Sequence, residues 1–530
     1  MNYIELFAGC GGLSLGLERA GFELIFANEL SPMAGESYAY NILNEDLSQL
    51  AQQSQMPSRT LWLNSSYPDL RRRLRENPFE FPSVKAVGYS DLRGLNQSLS
   101  GKLMIGSIVE LNKLLEEESS LIKSIRGSND GEGVDLISGG PPCQSFSMAG
   151  LRRKDCEKNT LPWEFAKFVS KIQPKMAMLE NVTGILRAFR DGDGKKYYAW
   201  FEVAKAFAQI GYVPLCLHIN ARFAGVPQNR PRFILMAFRE DFLKKWMIKN
   251  KSHANQVLLR SSMSFFEKIH INGEEPEYGD LRYFDSSKPQ DRELINSSFL
   301  CHLQNSKEVT VRDAIDDLKV NRPSLQSEYV KDLNTLFGTP EGTHIFNHEK
   351  RSNSPTVQRR FRIYQILQQL NESTVTKGVM GLLKGDCSSL SDDAWRHLRS
   401  FKFKLETGEL SHFHKKSELE QYLLRHPTKK QTQKALNPDQ PAPAALSIPD
   451  DGCHYDENEL RVFSVREMAR IQSFPDGFVF RSKVTTGGKM RRFEVPQYTQ
   501  VGNAVPPLLA YRLGIVCSQV LGFEHQEILA

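Results

Sequence analysis

The sequence predicts an α/β protein built on a doubly wound sheet, with a second, smaller and irregular domain. Three observations carry this. Through the first 240 residues short apolar runs alternate with amphipathic segments, the pattern of parallel strands joined by crossover helices. Between about 241 and 445 the alternation gives way to polar, locally basic sequence. From about 446 to 530 order returns, ending in an apolar helix-like run.

The expected strands are "NYIELFA", "FELIFAN", "LMIGSI", "VDLISGG" and "KMAMLEN", followed by "VPLCLHIN" and "RFILMAF". Between the second and third, residues 44–101 are rich in Ser, Arg, Pro and Asn and exceed an ordinary crossover, so they are expected to form a surface insertion. In the middle segment "HFHKKSELEQYLLRHPTKKQTQKALNPDQPAPAA" passes from a basic helix into a Pro/Ala stretch that reads as a linker. Its lysines suit either a solvated face or contact with phosphates. "FSVREMARIQSFP" spaces its apolar residues for one helical face stopped by proline, and "QVGNAVPPLLAYRLGIVCSQVLG" reads as a turn and a last helix.

Composition narrows the class. A chain of 530 residues, 40% hydrophobic and 25% charged, is ordinary globular material that suits two domains. It offers neither a long uncharged apolar run nor a signal-peptide pattern at "MNYIELFAGCGG", so a cytoplasmic protein with no membrane contact is expected. The eight cysteines, at 10, 143, 156, 216, 301, 387, 453 and 517, form no CxxC pair and no metal-spaced cluster, so neither a disulfide framework nor a metal site is expected. The net charge of +6 permits a polyanionic partner without requiring one.

Four stretches carry chemistry. "ELFAGCGGLSLG" puts Gly9, Gly11 and Gly12 where a strand turns into a helix, letting backbone approach a ligand at a helix N-terminus. Glu29, about 20 residues on, stands where an acid takes ribose hydroxyls. Such turns also serve dehydrogenases and plain structural turns. "GGPPCQSFSMAG" follows the fourth strand and sets Cys143 on a loop at the carboxyl edge, where α/β proteins place their sites; the thiol there is either a nucleophile or a small buried hydrophobe. "LENV" brings Glu180 and Asn181 to the same edge, and a carboxyl beside a thiol suits a substrate that is protonated while it is attacked. "QNRPR" adds Arg230 and Arg232, two residues apart, to bind phosphate or orient a substrate.

Taken in order, "FAGCGG", "PPCQSFS", "ENV", "QNRPR" and "QVGNAVPP" resemble the motif set of the DNA (cytosine-5) methyltransferases, over about residues 1–240 and 446–530. The resemblance implies a Rossmann-like methyltransferase sheet with a target-recognition domain at 241–445, and residues 446–530 returning to complete the catalytic lobe. It implies Cys143 as the nucleophile toward C6 of cytosine and Glu180 as the group that holds and protonates N3. Arg230 and Arg232 would position the base. The implied cofactor is S-adenosylmethionine, contacted by Phe7, Gly9, Gly11, Gly12, Glu29, Ile108, Gly140, Pro142 and Leu161, with Asn503 and Ala504 closing the pocket. The implied partner is double-stranded DNA, with a flipped cytosine, acted on by a monomer; a cognate restriction endonuclease would work separately.

Two departures from the family pattern stand out. The usual Gly-Asp-Ile is here Gly106-Ser107-Ile108, replacing a charged acceptor with a neutral one, and the 44–101 insertion has no assigned role. A tRNA cytosine methyltransferase would share the motifs but carries a Cys-Phe-Thr absent here. A non-catalytic methyltransferase-like binder leaves Cys143, Glu180, Arg230 and Arg232 unexplained, and a dinucleotide oxidoreductase explains the Gly-rich turn alone.

Overall fold

The computed structural model describes residues 1–92, 99–126, 133–142, 160–190, 196–304, 307–321, 323–429, 433–444 and 452–523. Nine strands form one sheet: β1 (Asn2–Leu6), β2 (Glu23–Glu29), β3 (Thr60–Trp62), β4 (Lys102–Ile105), β5 (Leu136–Gly139), β6 (Met176–Val182), β7 (Tyr212–Asn220), β8 (Pro231–Arg239) and β9 (Tyr283–Asp285). Their order is β9-β7-β8-β6-β5-β1-β2-β4-β3. Only β8 runs against its neighbours β6 and β7. The central strands are mostly apolar and largely buried, as a sheet covered on both faces requires.

The order reverses at β1, which pairs with β2 on one side and β5 on the other. At such a switch point the following loops diverge to opposite faces and leave a crevice at the carboxyl edge. The antiparallel course of β8 completes this edge, because its first residues lie where β6 ends. Arg232 is paired with Val182, and Glu180, two residues earlier, shares that face.

The end of the chain folds back on the beginning. Helix α1 (Gly12–Arg19) packs against the last helix, α2 (Pro507–Val520), and each contributes a glycine to the contact. A Cβ on Gly16 would stand 2.4 Å from the Tyr511 nitrogen, and one on Gly514 would stand 2.6 Å from the Ala20 Cβ. The two backbones therefore approach more closely than any side-chain pair would allow.

Three expectations are revised. The insertion is more than surface: β3 extends the sheet, and Trp62, Leu70 and Leu74 share a core with Tyr38, Leu103 and Ile105. The stretch "TLW" is too short and too isolated in polar sequence to announce itself as a strand. The packing also shows no boundary near 240, since β9 extends the sheet beside β7, and Leu258, Phe265, Leu281 and Leu300 belong to the main core. A separate core begins farther on, with Phe361, Ile366, Leu383, Leu419 and Tyr422 at its centre. Finally, the Pro/Ala stretch is no free linker: Ala442–Pro443 pair with Gln228–Asn229, just ahead of Arg230.

The helix in "FSVREMARIQSFP" spans Val465–Ile471, capped by Ser464 and Glu467, and ends before the proline. All its residues are buried, including its charges: Glu467 and Arg470 are paired with charged side chains outside the helix, and Arg466 donates to the carbonyls of Phe346, Pro475 and Phe478. Arg470 meets Asp317 at 2.6 Å and Asp476 at 2.8 Å, and Arg461 meets Glu467 at 2.7 Å. Burial opposes ionisation of Glu467, but Arg461 prevails and holds its carboxyl down to about 2. "QVGN" proves to be the end of a short helix, Gln497–Asn503, rather than a turn.

Candidate active site

A cavity of about 470 Å³ opens at the carboxyl edge around the switch point. Phe7, Gly9 and Gly12 after β1, Glu29 ending β2, Gly106 and Ser107 after β4, and Gly140 to Pro142 after β5 line it. Glu180 and Asn181 of β6, Arg230 and Arg232, Ile108, Leu161, Asn503 and Ala504 complete the set of expected residues that reach it. Gly11 is the expected residue that does not. At φ 97° it precedes α1, and a Cβ there would meet Tyr38 and Ile42 at 3.1 Å, so its role is to let the turn pass. Cys143 lies outside the described residues, one position beyond Pro142.

At the end formed by β1, β2 and β4, the Gly9 N–H donates to Glu29 Oε2 at 2.8 Å and the Ser31 N–H donates to Oε1 at 2.7 Å. Burial pushes this carboxyl upward against those hydrogen bonds. Asn28 Nδ2 donates to the carbonyls of Met104 and Gly106, both at 3.0 Å, tying the ends of β2 and β4 together. Ser107 caps the helix Ile108–Glu117, its Oγ accepting from the Val109 N–H at 3.2 Å. Gly12 lets the returning C-terminal segment pack closely, since a Cβ there would sit 2.4 Å from the Val505 carbonyl oxygen, and a Cβ on Gly140 would come 3.0 Å from Glu180 Oε2.

At the other end Arg232 Nε donates to Glu180 Oε1 at 2.7 Å, with both side chains largely enclosed. The two arginines have separate tasks. Arg230 is buried, and its guanidinium donates to the carbonyls of Gly502 and Ala504 at 2.7 and 3.1 Å. Its Nε has no hydrogen-bond partner among the described residues, and burial, helped by the charge of Arg232, pulls its pKa well down. Asn181 Nδ2 donates to the Pro141 carbonyl at 2.9 Å, fixing the backbone two positions before Cys143.

The cavity also contains Cys10, from "FAGCGG". Burial pushes its thiol up to about 12, so it is a packed hydrophobe rather than a reactive thiolate. Among the described residues no cluster of His, Cys, Asp and Glu could hold a metal ion, and no helix is long and apolar enough to cross a membrane.

The family described as "C-5 cytosine-specific DNA methylase" matches residues 1–63 and 111–519. The chain belongs to this family. The Type II methyltransferase M.DdeI of Desulfomicrobium norvegicum is 24% identical over 521 residues, spanning 97% of this chain and 87% of that protein. M1.HphI of Haemophilus parahaemolyticus is 25% identical over 513 residues, 96% of this chain and 84% of that protein. M.Bpa9945I of Bacillus paralicheniformis is 24% identical over 546 residues, 99% and 100%. As a cytosine-specific DNA methylase the protein is an enzyme whose substrate is DNA and whose reaction requires a methyl donor.

Residues 64–110 fall outside the match to the methylase family, yet Pro78 and Phe79 within them line the cavity. So does the segment Arg491–Val495. Sequence reasoning missed both, because neither stretch carries a motif and each reaches the site only through packing. Arg75 donates to Ser482 Oγ at 3.0 Å, and Arg481 holds both oxygens of Asp46 at 3.0 Å, bracing the insertion against the approach to that second segment.

Proposed function

We propose that the enzyme transfers a methyl group from S-adenosylmethionine to C5 of a cytosine flipped out of a specific duplex sequence. The observation that carries this reading is one cavity lined both by Glu29 and its glycine turn and by the Glu180–Arg232 pair. A nucleoside cofactor suits the first end: a half-buried carboxyl group closes β2, and Gly140 leaves space beside Glu180 that a side chain would narrow. Bound there, S-adenosylmethionine supplies an electrophilic methyl group.

The chain's own residues do the rest. Cys143, as thiolate, forms a bond to C6 of the cytosine while Glu180 delivers a proton to N3, so the ring's electron density collects at C5. Arg232 orients the Glu180 carboxyl through its 2.7 Å contact. Once C5 carries the methyl group, loss of its proton returns an electron pair to the ring, breaks the C6–sulfur bond and frees Cys143. Asn181 positions the loop start through Pro141. Extruding the base from the duplex gives the site access to C5 and C6. Sequence selection falls to the middle of the chain, where the separate core around Phe361 and Tyr422 supports it. The enzyme would act as a monomer in a restriction-modification setting, with any cognate endonuclease a separate protein.

The test is bisulfite sequencing of DNA from a methylation-free host expressing the chain, beside Cys143→Ala. Protected cytosines within one short recurring sequence, absent from the variant, are expected. Complete conversion with soluble wild-type protein, or protection that persists in Cys143→Ala, would overturn the reading.

A further inference from the structure

The insertion gives the cavity a wall that the family match does not include. Its 3-10 turn Pro78–Glu80 is capped by Asn77, whose Oδ1 accepts from the Phe79 N–H at 3.2 Å. Phe79 is 55% exposed although it lines the cavity, so its ring stands at the mouth.

The segment that carries the turn is tied on both sides of it to the chain around Ser107. Leu63 packs against Gly106, so closely that a Cβ on that glycine would meet it at 2.5 Å. The Val84 N–H donates to Glu110 Oε2 at 3.0 Å, in the first turn of the helix that Ser107 caps. Ser107 is neutral and its oxygen is engaged in that cap. At Ser107 the edge of a heteroaromatic ring therefore meets a neutral group, which leaves the faces of the ring to be held by other side chains.

Resting on the cofactor reading above, we propose that Phe79 is a binding residue for the nucleoside base of the cofactor, and that the insertion serves as the outer wall of that subsite. Stacking on an aromatic side chain favours any purine and is lost when the ring is removed.

The experiment is calorimetric titration of the full chain with S-adenosylhomocysteine and with 5′-methylthioadenosine, which keeps the nucleoside but lacks the amino-acid end. Phe79→Ala is expected to weaken both by about tenfold, the scale of one lost base–aromatic contact, whereas Phe79→Tyr retains wild-type affinity. Equal affinities in wild type and Phe79→Ala would overturn the proposal. So would an equal loss in Phe79→Tyr, or a loss confined to DNA affinity. If the wild-type protein bound neither ligand, the cofactor reading itself would fall, and the subsite with it.

Discussion

Arg230 donates to the carbonyl of Gly502 at 2.7 Å across 272 residues of chain, joining the start of β8 to the returning C-terminal segment inside the cavity wall. Arg230→Ala removes two charge-assisted hydrogen bonds, because Ala504 accepts from the same guanidinium. A stability loss of about 3 kcal/mol is expected, together with weaker binding of S-adenosylhomocysteine. Urea unfolding followed by titration checks both, and an unchanged midpoint would count against the bridging role.

Glu180→Gln keeps an oxygen to accept from Arg232 but has no proton to deliver. A fall in turnover of about 100-fold or more is expected, with the fold intact. Single-turnover methylation of a duplex substrate measures it; a near-normal rate would remove Glu180 from the proton transfer.

Asn181→Asp preserves shape but loses the donor to the Pro141 carbonyl at 2.9 Å. The backbone just before Cys143 then loses this hydrogen bond, so turnover should drop about tenfold or more while S-adenosylhomocysteine affinity holds. Parallel losses in both would point to general destabilisation instead.

Glu5, on the floor of the cavity, is raised by burial, against the hydrogen bond from Ser14, from 4.5 to about 8. The unfolded chain releases this proton near 4.5 while the fold keeps it to about 8. Over that interval the folded state binds more protons, so the stabilising contribution is full below 4.5 and is lost as pH rises toward 8. Glu5→Gln, neutral throughout, should flatten this decline and melt about 3 °C above wild type at pH 8, with little difference at pH 5. Melting curves at the two pH values decide it; equal slopes would show that Glu5 ionises freely in the fold.

Much of the site was legible in the chain itself because strand-end motifs state their own position. An apolar run followed by "GCGG", "GGPPC" or "ENV" marks the carboxyl edge, and a parallel sheet has only one such edge on which to gather Glu29, Gly140 and Glu180. The return of Asn503 and Ala504 was legible for a similar reason, since the apolar run after them must be buried. Local pattern says nothing about partners distant in sequence. That β8 runs against β6, so that Arg232 meets Glu180 while Arg230 turns to Gly502, depends on strand pairing between separate segments. The same holds for β3 and β9: "TLW" and "YFD" become strands because β4 and β7 offer them unpaired edges. The sequence by itself determined which residue types stand at the sheet edge, through the motifs that end each strand. Tertiary structure alone decided that the insertion would line the cavity, because Pro78 and Phe79 reach it through packing between segments distant in sequence and not through any motif of their own.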